Sequence, residues 1–431
     1  MAEGSRRHNK FIIRPIQAVL IILLLLVAIC VIIDEAVFQV VCVLIGFLLA
    51  QLSTYVFKFL VVMNEESNKL QEENFPYDEK THKKHLRVGT NSTHLWYLPI
   101  VINKTQDVEI KIEDHPEKHF ELDSLLQANY ALLMKAHRAS VFTNKECIRL
   151  DDCSVKGNDI RLVTSRTDFY NDLVTNRAMD YAFFNGITVR DIYEFKKEFT
   201  PFSESRMSNH IGINALFFIG GRLVVPKRSS ITTLSKMKIT STFAYGLGSE
   251  KAYSVCASRD NALTDDFLIR CVMDDVRNYV PDMSPEDFGR LIDDGRAGVY
   301  FLGFGRLVYT GGKPQFYFAA FLDGEAFGGY RKGMNPKDPQ YLSGEYMADS
   351  LELWDKKSKF VFRLGSDGVS KVERSSQGLY TVRLHDVLTD SYHSVEAEKS
   401  MLVNMWHLSQ CRGLKGIPDW FYDAVEAQEK T

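Results

Sequence analysis

Two apolar runs dominate the start of the chain. From Ile16 to Ile33 the sequence reads IQAVLIILLLLVAICVII, eighteen residues with one polar member, close to the ~20 apolar residues that fill a bilayer core. Ala36 to Phe57 is a second run, in which Gln39, Gln51, Ser53 and Thr54 are the clearly polar side chains. Asp34 and Glu35 alone separate the runs, and so short a connection predicts two antiparallel helices forming a transmembrane hairpin with its turn in water. Gln39 and Gln51 fall on roughly the same helix face. That placement fits polar residues tolerated near helix ends, and equally hydrogen bonds between helices of an oligomer.

Beyond these runs the pattern turns polar. Asn64 to Arg87 (NEESNKLQEENFPYDEKTHKKHLR) is dense in charge and poor in apolar residues, which predicts a solvated linker, and its basic end also suits anionic lipid. Periodicity resumes over 93–112, where LWYLPIVI and VEIKI predict strands. Asp123 to Phe142 has apolar residues at helical spacing behind an Asp-Ser start, and Ile160 to Tyr181 reads as a strand running into a helix. HIGINALFFIGGRLVVPKRS is two strands around Gly220-Gly221, a hairpin signal. An irregular stretch follows, then a helix from about Leu263 to Tyr279, with Thr264 as N-cap and Asp265 and Asp266 in its first turn. Strands AGVYFLGFGRLVYTGG and QFYFAAFLD turn at Gly311-Gly312, and an aromatic helix falls near Ser400 to Ser409.

Charge sets the orientation. Arg6, Arg7, Lys10 and Arg14 outweigh Glu3 ahead of the first run, whereas the apex is acidic, so both termini and the soluble portion are expected in the cytoplasm of a cell membrane. A signal peptide shares the basic start, but no small-residue cleavage site precedes the second run. The five cysteines outside the apolar runs are irregularly spaced, as for reduced thiols in a cytosol. A net charge of -3 excludes a whole-chain argument for binding a nucleic acid polymer, so any anion-binding surface is local. The expected organisation is a basic N-terminus over 1–15, the hairpin over 16–57, a charged linker over 58–90, an α/β extension over 91–207, and a last domain over 208–431.

Several chemistries are excluded by motif. There is no Walker loop, no HExxH and no CxxC pair. His115 and His119 have ligand-like spacing, but Pro116 between them predicts a surface loop rather than a helix face. Gly246 and Gly248 lack the expected strand and helix of a dinucleotide-binding turn and read as a loop. What remains is Arg270-Cys271-Val272-Met273-Asp274-Asp275, on a helix that follows the hairpin ending in Pro226-Lys227-Arg228-Ser229. As a plain helix, this segment would pair Arg270 with Asp274 on its surface and turn Leu268, Val272 and Val276 inward.

The order of hairpin, glycine-bearing loop and R-x-V-x-D-D helix resembles a Nudix domain over roughly Asn209 to Asp323. In that family the signature helix reads R-E-U-x-E-E, with U apolar. The resemblance implies an α/β/α sandwich whose acidic residues, here Asp274 and Asp275, hold magnesium against a nucleotide diphosphate. The sequence departs from the family where it matters. Cys271 replaces the first helix Glu and is a soft ligand unsuited to magnesium; Asp274 and Asp275 are each one methylene shorter than Glu. A Nudix-like domain with a vestigial metal site and no required cofactor follows, with magnesium needed only if hydrolysis survives. Lys227, Arg228, Lys236 and Lys238 flank the hairpin and loop as candidate ligand cations, and Arg270 and Arg306 add to them. Phe243 and Tyr245 are candidate stacking aromatics, and Phe301 and Phe304 accompany Arg306.

A membrane hairpin ahead of such a domain, an α+β chain overall, resembles the transmembrane Nudix effectors of bacterial cyclic-oligonucleotide-based antiphage signalling. That resemblance implies a cyclic oligonucleotide ligand, a homo-oligomer, and action on the lipid bilayer of the inner membrane. A membrane-anchored Nudix hydrolase and a passive adaptor are the alternatives.

Overall fold

The computed structural model describes, with short gaps, residues 97–135, 144–219, 239–256, 262–324 and 398–411, together with strand positions at 86–87, 94–95, 222–224 and between 360 and 396, and residues 46 and 49. The chain divides into two compact units, Met1–Leu70 and Gln71–Thr431. Of the first, only Gly46 and Leu49 are described, both helical.

In the second unit the strands are β1 (Tyr97–Ile102), β2 (Glu109–His119), β3 (Glu146–Lys156), β4 (Asp159–Asp168), β5 (Gly212–Ile219), β6 (Arg222–Val224), β7 (Phe243–Gly246), β8 (Ala297–Leu307) and β9 (Lys313–Leu322). The helices are α1 (Ser124–Ala128), α2 (Tyr130–Lys135), α3 (Phe169–Val174), α4 (Val189–Tyr193), α5 (Ser249–Val255), α6 (Phe267–Asn278), α7 (Pro285–Asp293) and α8 (Lys399–Gln410). A small antiparallel pair, Tyr380–Asp386 with Ser391–Glu396, precedes α8.

The central sheet runs β1-β8-β9-β5-β6, with β7 also paired to β5. Only β9 and β5 are parallel in it. Burial along the whole of β9 follows from cover on both faces. Alternation sends Phe316, Phe318, Ala320 and Leu322 into one core with Leu268, Val272 and Val276 of α6. The opposite parity places Tyr317 against α8, where its ring stacks on His407 at 4.8 Å between centroids. A strand buried on both sides reads as a near-continuous apolar run, and FYFAAFL over 316–322 does, with the buried Lys313 and Gln315 at its start as polar exceptions.

A second sheet, β2-β4-β3, has β2 parallel to β4 and a β3–β4 hairpin. Gly157, at φ +62°, lies in that hairpin's turn, where a left-handed backbone favours glycine. Ile148, Leu150, Ile160 and Leu162 of this sheet enter the same core as Phe217 and Phe316. Backbone hydrogen bonds join the two sheets: Ile148 donates to Leu247 (3.0 Å) and Ile211 donates to Ile148 (2.9 Å).

The fold class expected from sequence, a two-helix transmembrane hairpin followed by a Nudix-like α/β/α sandwich, is corrected. The described chain is mixed α/β built on sheets, and among the described residues no helix is long and apolar enough to cross a membrane. The reason is length: α6 and α8 have 12 residues each, ~18 Å at 1.5 Å per residue against a ~30 Å hydrocarbon core. The runs 16–33 and 36–57 lie outside the described residues apart from Gly46 and Leu49.

Local expectations differ in four places. The helix expected over 123–142 is two short ones, α1 and α2, because Asn129 interrupts them as the C-cap of α1; residues 136–143 lie outside the described residues. His115-Pro116 is part of β2, not a loop, and the register shift between Asp114 and His119 accommodates the proline. Gly246 closes β7 and Gly248 caps α5, so a strand and a helix flank the pair after all. Asp266, not Thr264, is the N-cap of α6; the Thr264 hydroxyl donates to the Asp266 carboxylate instead (2.6 Å).

Candidate functional site

The α6 segment turns Leu268, Cys271, Val272 and Val276 into the core and leaves Asp274 and Asp275 at its rim. There the carboxylates are engaged by the protein itself. Lys251 of α5 pairs with both, at 2.8 Å from Asp275 Oδ1. Arg277 pairs with Asp274, and Asn278 Nδ2 donates to it (2.9 Å). The Tyr245 hydroxyl, at the end of β7, donates to Asp275 Oδ2 (2.6 Å). Burial works against the Lys251 charge, but the two carboxylates outweigh it and raise its pKa. Burial lifts the Asp275 carboxyl against the pull of Lys251. The Tyr245 phenol is raised well above its ordinary value by burial and by Asp275. Cys271 is buried and its thiol is pushed up, so it stays protonated at neutral pH.

The other sequence candidates are dispersed. Arg270 is half-exposed and pairs with Asp266 one turn earlier, not with Asp274. Arg306 is buried: its Nε donates to Gly312 O (3.0 Å) and its Nη1 to Thr200 O (2.6 Å). Its guanidinium lies between Phe199 and Phe202, 4.7 and 4.3 Å from the ring centroids. Phe243 packs on Phe217 and Tyr279, and Phe304 stacks on Phe316 at 4.6 Å, which makes both core residues. Phe301 joins them against Phe318. Lys227, Arg228, Lys236 and Lys238 lie outside the described residues. The structure therefore brings together Tyr245, Asp274 and Asp275, with Lys251 as the member that sequence reasoning missed. Lys251 sits on α5, just beyond the glycines read as a loop, where no element was expected.

A second polar cluster was also missed. Asp172 of α3, Arg177, His210 and Lys313 of β9 meet in the interior, with Asp172 and His210 fully buried. Asp172 Oδ2 accepts from Arg177 Nε (2.6 Å) and Lys313 Nζ (3.3 Å). His210 Nδ1 is 3.5 Å from Lys313 Nζ. Despite burial, Lys313 and Arg177 hold the Asp172 carboxyl well below its ordinary value. Burial, then Lys313, lowers His210 to about 4, and burial lowers Lys313 to about 8. The end of α3 fixes the segment carrying His210. Thr175 Oγ1 accepts from Ser208 N (3.1 Å) and Asn176 Oδ1 from Asn209 N (2.8 Å). Asn209 sits at φ +44°, a left-handed backbone that asparagine tolerates better than most residues. Strongly perturbed groups in one cluster mark a functional candidate.

Among the described residues no group of three or more His, Cys, Asp or Glu side chains is placed to hold a metal ion. No protein-family model matches the chain, and no curated protein matches it.

Proposed function

We propose that the chain is a nucleotide sensor rather than a nucleotide hydrolase: an effector of bacterial antiphage signalling whose 208–431 portion binds a cyclic oligonucleotide and assembles as a homo-oligomer, acting at the inner membrane. The observation that carries the choice of sensor over hydrolase is the engagement of Asp274 and Asp275 by Lys251, Arg277 and Tyr245. Magnesium demands hard oxygen donors in near-octahedral array. Here those oxygens are spent on the protein's own cations and phenol, and Cys271 stands where the family has a further carboxylate. The Nudix-like order of hairpin, glycines and R-x-V-x-D-D helix supports a nucleotide as ligand. The apolar runs over 16–33 and 36–57 support the membrane as the place of action. Assembly on binding requires that the ligand favour the assembled state over the resting one.

Calorimetry of the full-length chain against cyclic di- and trinucleotides, beside a magnesium-dependent phosphate-release assay, tests the reading. Binding of one cyclic nucleotide without turnover is expected. Turnover abolished by Asp274→Ala, with no cyclic nucleotide bound, would overturn it in favour of the hydrolase.

A further inference from the structure

Four polar side chains meet where α3, the segment before β5 and the start of β9 come together, and their charges do not balance. Asp172 Oδ2 accepts from both Arg177 Nε, at 2.6 Å, and Lys313 Nζ, at 3.3 Å. Two cations thus share one carboxylate oxygen, while Asp172 Oδ1 is buried without a hydrogen-bond partner among the described residues. The shorter contact makes Arg177 the first partner of the carboxylate and Lys313 the second. Side-chain exposure is 11% for Arg177, 4% for Lys313 and 0% for Asp172 and His210, so the lysine is the cation shut away from water.

The other groups around Lys313 bring no negative charge. His210 Nδ1 lies 3.5 Å from Lys313 Nζ and 3.8 Å from Asp172 Oδ2. With the ring lowered to about 4, it is neutral at pH 7 whichever nitrogen holds its proton. Cys147 of β3 is pushed up to about 12 and stays a thiol. One carboxylate therefore faces two cations. A buried charge without a counter-charge is costly, and only one member can give its charge up: a guanidinium keeps its proton in proteins, whereas a desolvated lysine readily loses one. Burial brings Lys313 from 10.5 down to about 8. Once neutral, the amine has a lone pair as well as N–H groups, so its contacts with Asp172 and His210 survive with either ring tautomer.

We propose that this cluster is a proton-operated joint: Lys313 releases its proton reversibly within the folded chain, and the junction of α3, the segment before β5 and β9 tightens when it does. The joint touches both sheets, since His210 bridges to Arg149 of β3 and Lys313 opens β9, the strand parallel to β5. It goes beyond the sensor reading and stands without it. Lys313 binds its proton more weakly in the folded chain than in the unfolded one. Between pH about 8 and 10.5 the unfolded chain holds more protons, so stability rises with pH there and is lost as pH falls toward 8.

The test uses the full-length chain with its lysines carrying 13C at the ε-carbon, followed by NMR from about pH 6.5 to about pH 10.5, beside urea unfolding at pH 7 and pH 9. One lysine signal is expected to titrate near pH 8 and to be missing from Lys313→Gln. Relative to that variant, the unfolding constant of the wild type is expected to fall about tenfold between pH 7 and pH 9. Should Lys313→Gln fail to fold, the wild-type spectrum decides. A wild type in which every lysine titrates above pH ~9.5 overturns the proposal, as do unfolding constants that change with pH in parallel in the two proteins.

Discussion

Lys251 Nζ lies 2.8 Å from Asp275 Oδ1 and pairs with Asp274 as well, so a single ammonium from α5 occupies both acidic side chains of α6. Lys251→Met removes that occupant. Because the pair is about a quarter exposed on the lysine side, the expected loss is about 1–2 kcal/mol, below the 3–5 kcal/mol of a fully buried pair. Millimolar magnesium is expected to raise the Tm of the variant and leave the wild type unchanged. Adding Asp275→Asn to Lys251→Met should abolish the response; a wild type that responds equally would refute the account.

Acid should destabilise the fold through two histidines. His210 and His407 are buried and neutral, lowered mainly by burial to about 4 and about 3 from 6.5. Their folded pKa values lie below the unfolded ones, so the unfolded chain binds more protons in between. The stability they support is present above pH ~6.5 and is lost as pH falls toward those values. Each histidine contributes a slope of up to ~1.4 kcal/mol per pH unit. Urea midpoints at pH 7, 6 and 5 measure it, and His407→Gln is expected to flatten the slope. An unchanged slope would remove His407 from the explanation.

Two glycines should respond differently to the same added methyl group. A Cβ on Gly305 would meet the backbone oxygen of Leu98 at 2.3 Å, whereas one on Gly212 meets only the end of the Gln315 side chain. Gly305→Ala is expected to cost more than ~3 kcal/mol or to prevent accumulation of folded protein. Gly212→Ala is expected to cost about 1–2 kcal/mol by displacing Gln315. Chemical denaturation ranks them, and the reverse order would contradict the register.

Arg306→Lys is not conservative at its site. Lysine cannot present the planar fork that reaches Thr200 O and Gly312 O while lying between two phenyl rings. A loss of about 2–3 kcal/mol is expected, read as a lowered urea midpoint with unchanged m. Cyclic-nucleotide affinity should stay within twofold; a tenfold loss would return Arg306 to the ligand.

What the sequence revealed and hid follows from the range of each signal. The β8–β9 hairpin carried its turn as Gly311-Gly312, and the pairing of β5 with β6 was legible in the two apolar runs of HIGINALFFIGGRLVV. The inward face of α6 was legible because Leu268, Val272 and Val276 recur every four residues. The loop expected around Gly246 and Gly248 hid β7 and α5, each too short for its periodicity to declare itself. With them went Lys251, and so the neutralisation of Asp274 and Asp275. Asp172, His210 and Lys313 come from three segments, and nothing local to any of them announces the other two. The Arg270–Asp274 pair that a plain helix would offer gives way to Arg270–Asp266, because Arg277 and Lys251 compete for Asp274 and Asp266 is equally near Arg270 on the helix.

The placement of β1 has a consequence in time. It pairs with β8, Ile102 against Gly303, so an edge of the central sheet made early must wait for a partner made roughly 200 residues later. At ~5–20 residues per second of synthesis, that wait is about 10–40 s. Throughout it a nascent chain displays Tyr97–Ile102 as an open strand. A chain stopped before Ala297 never closes this sheet, and folding is committed only when β8 leaves the ribosome.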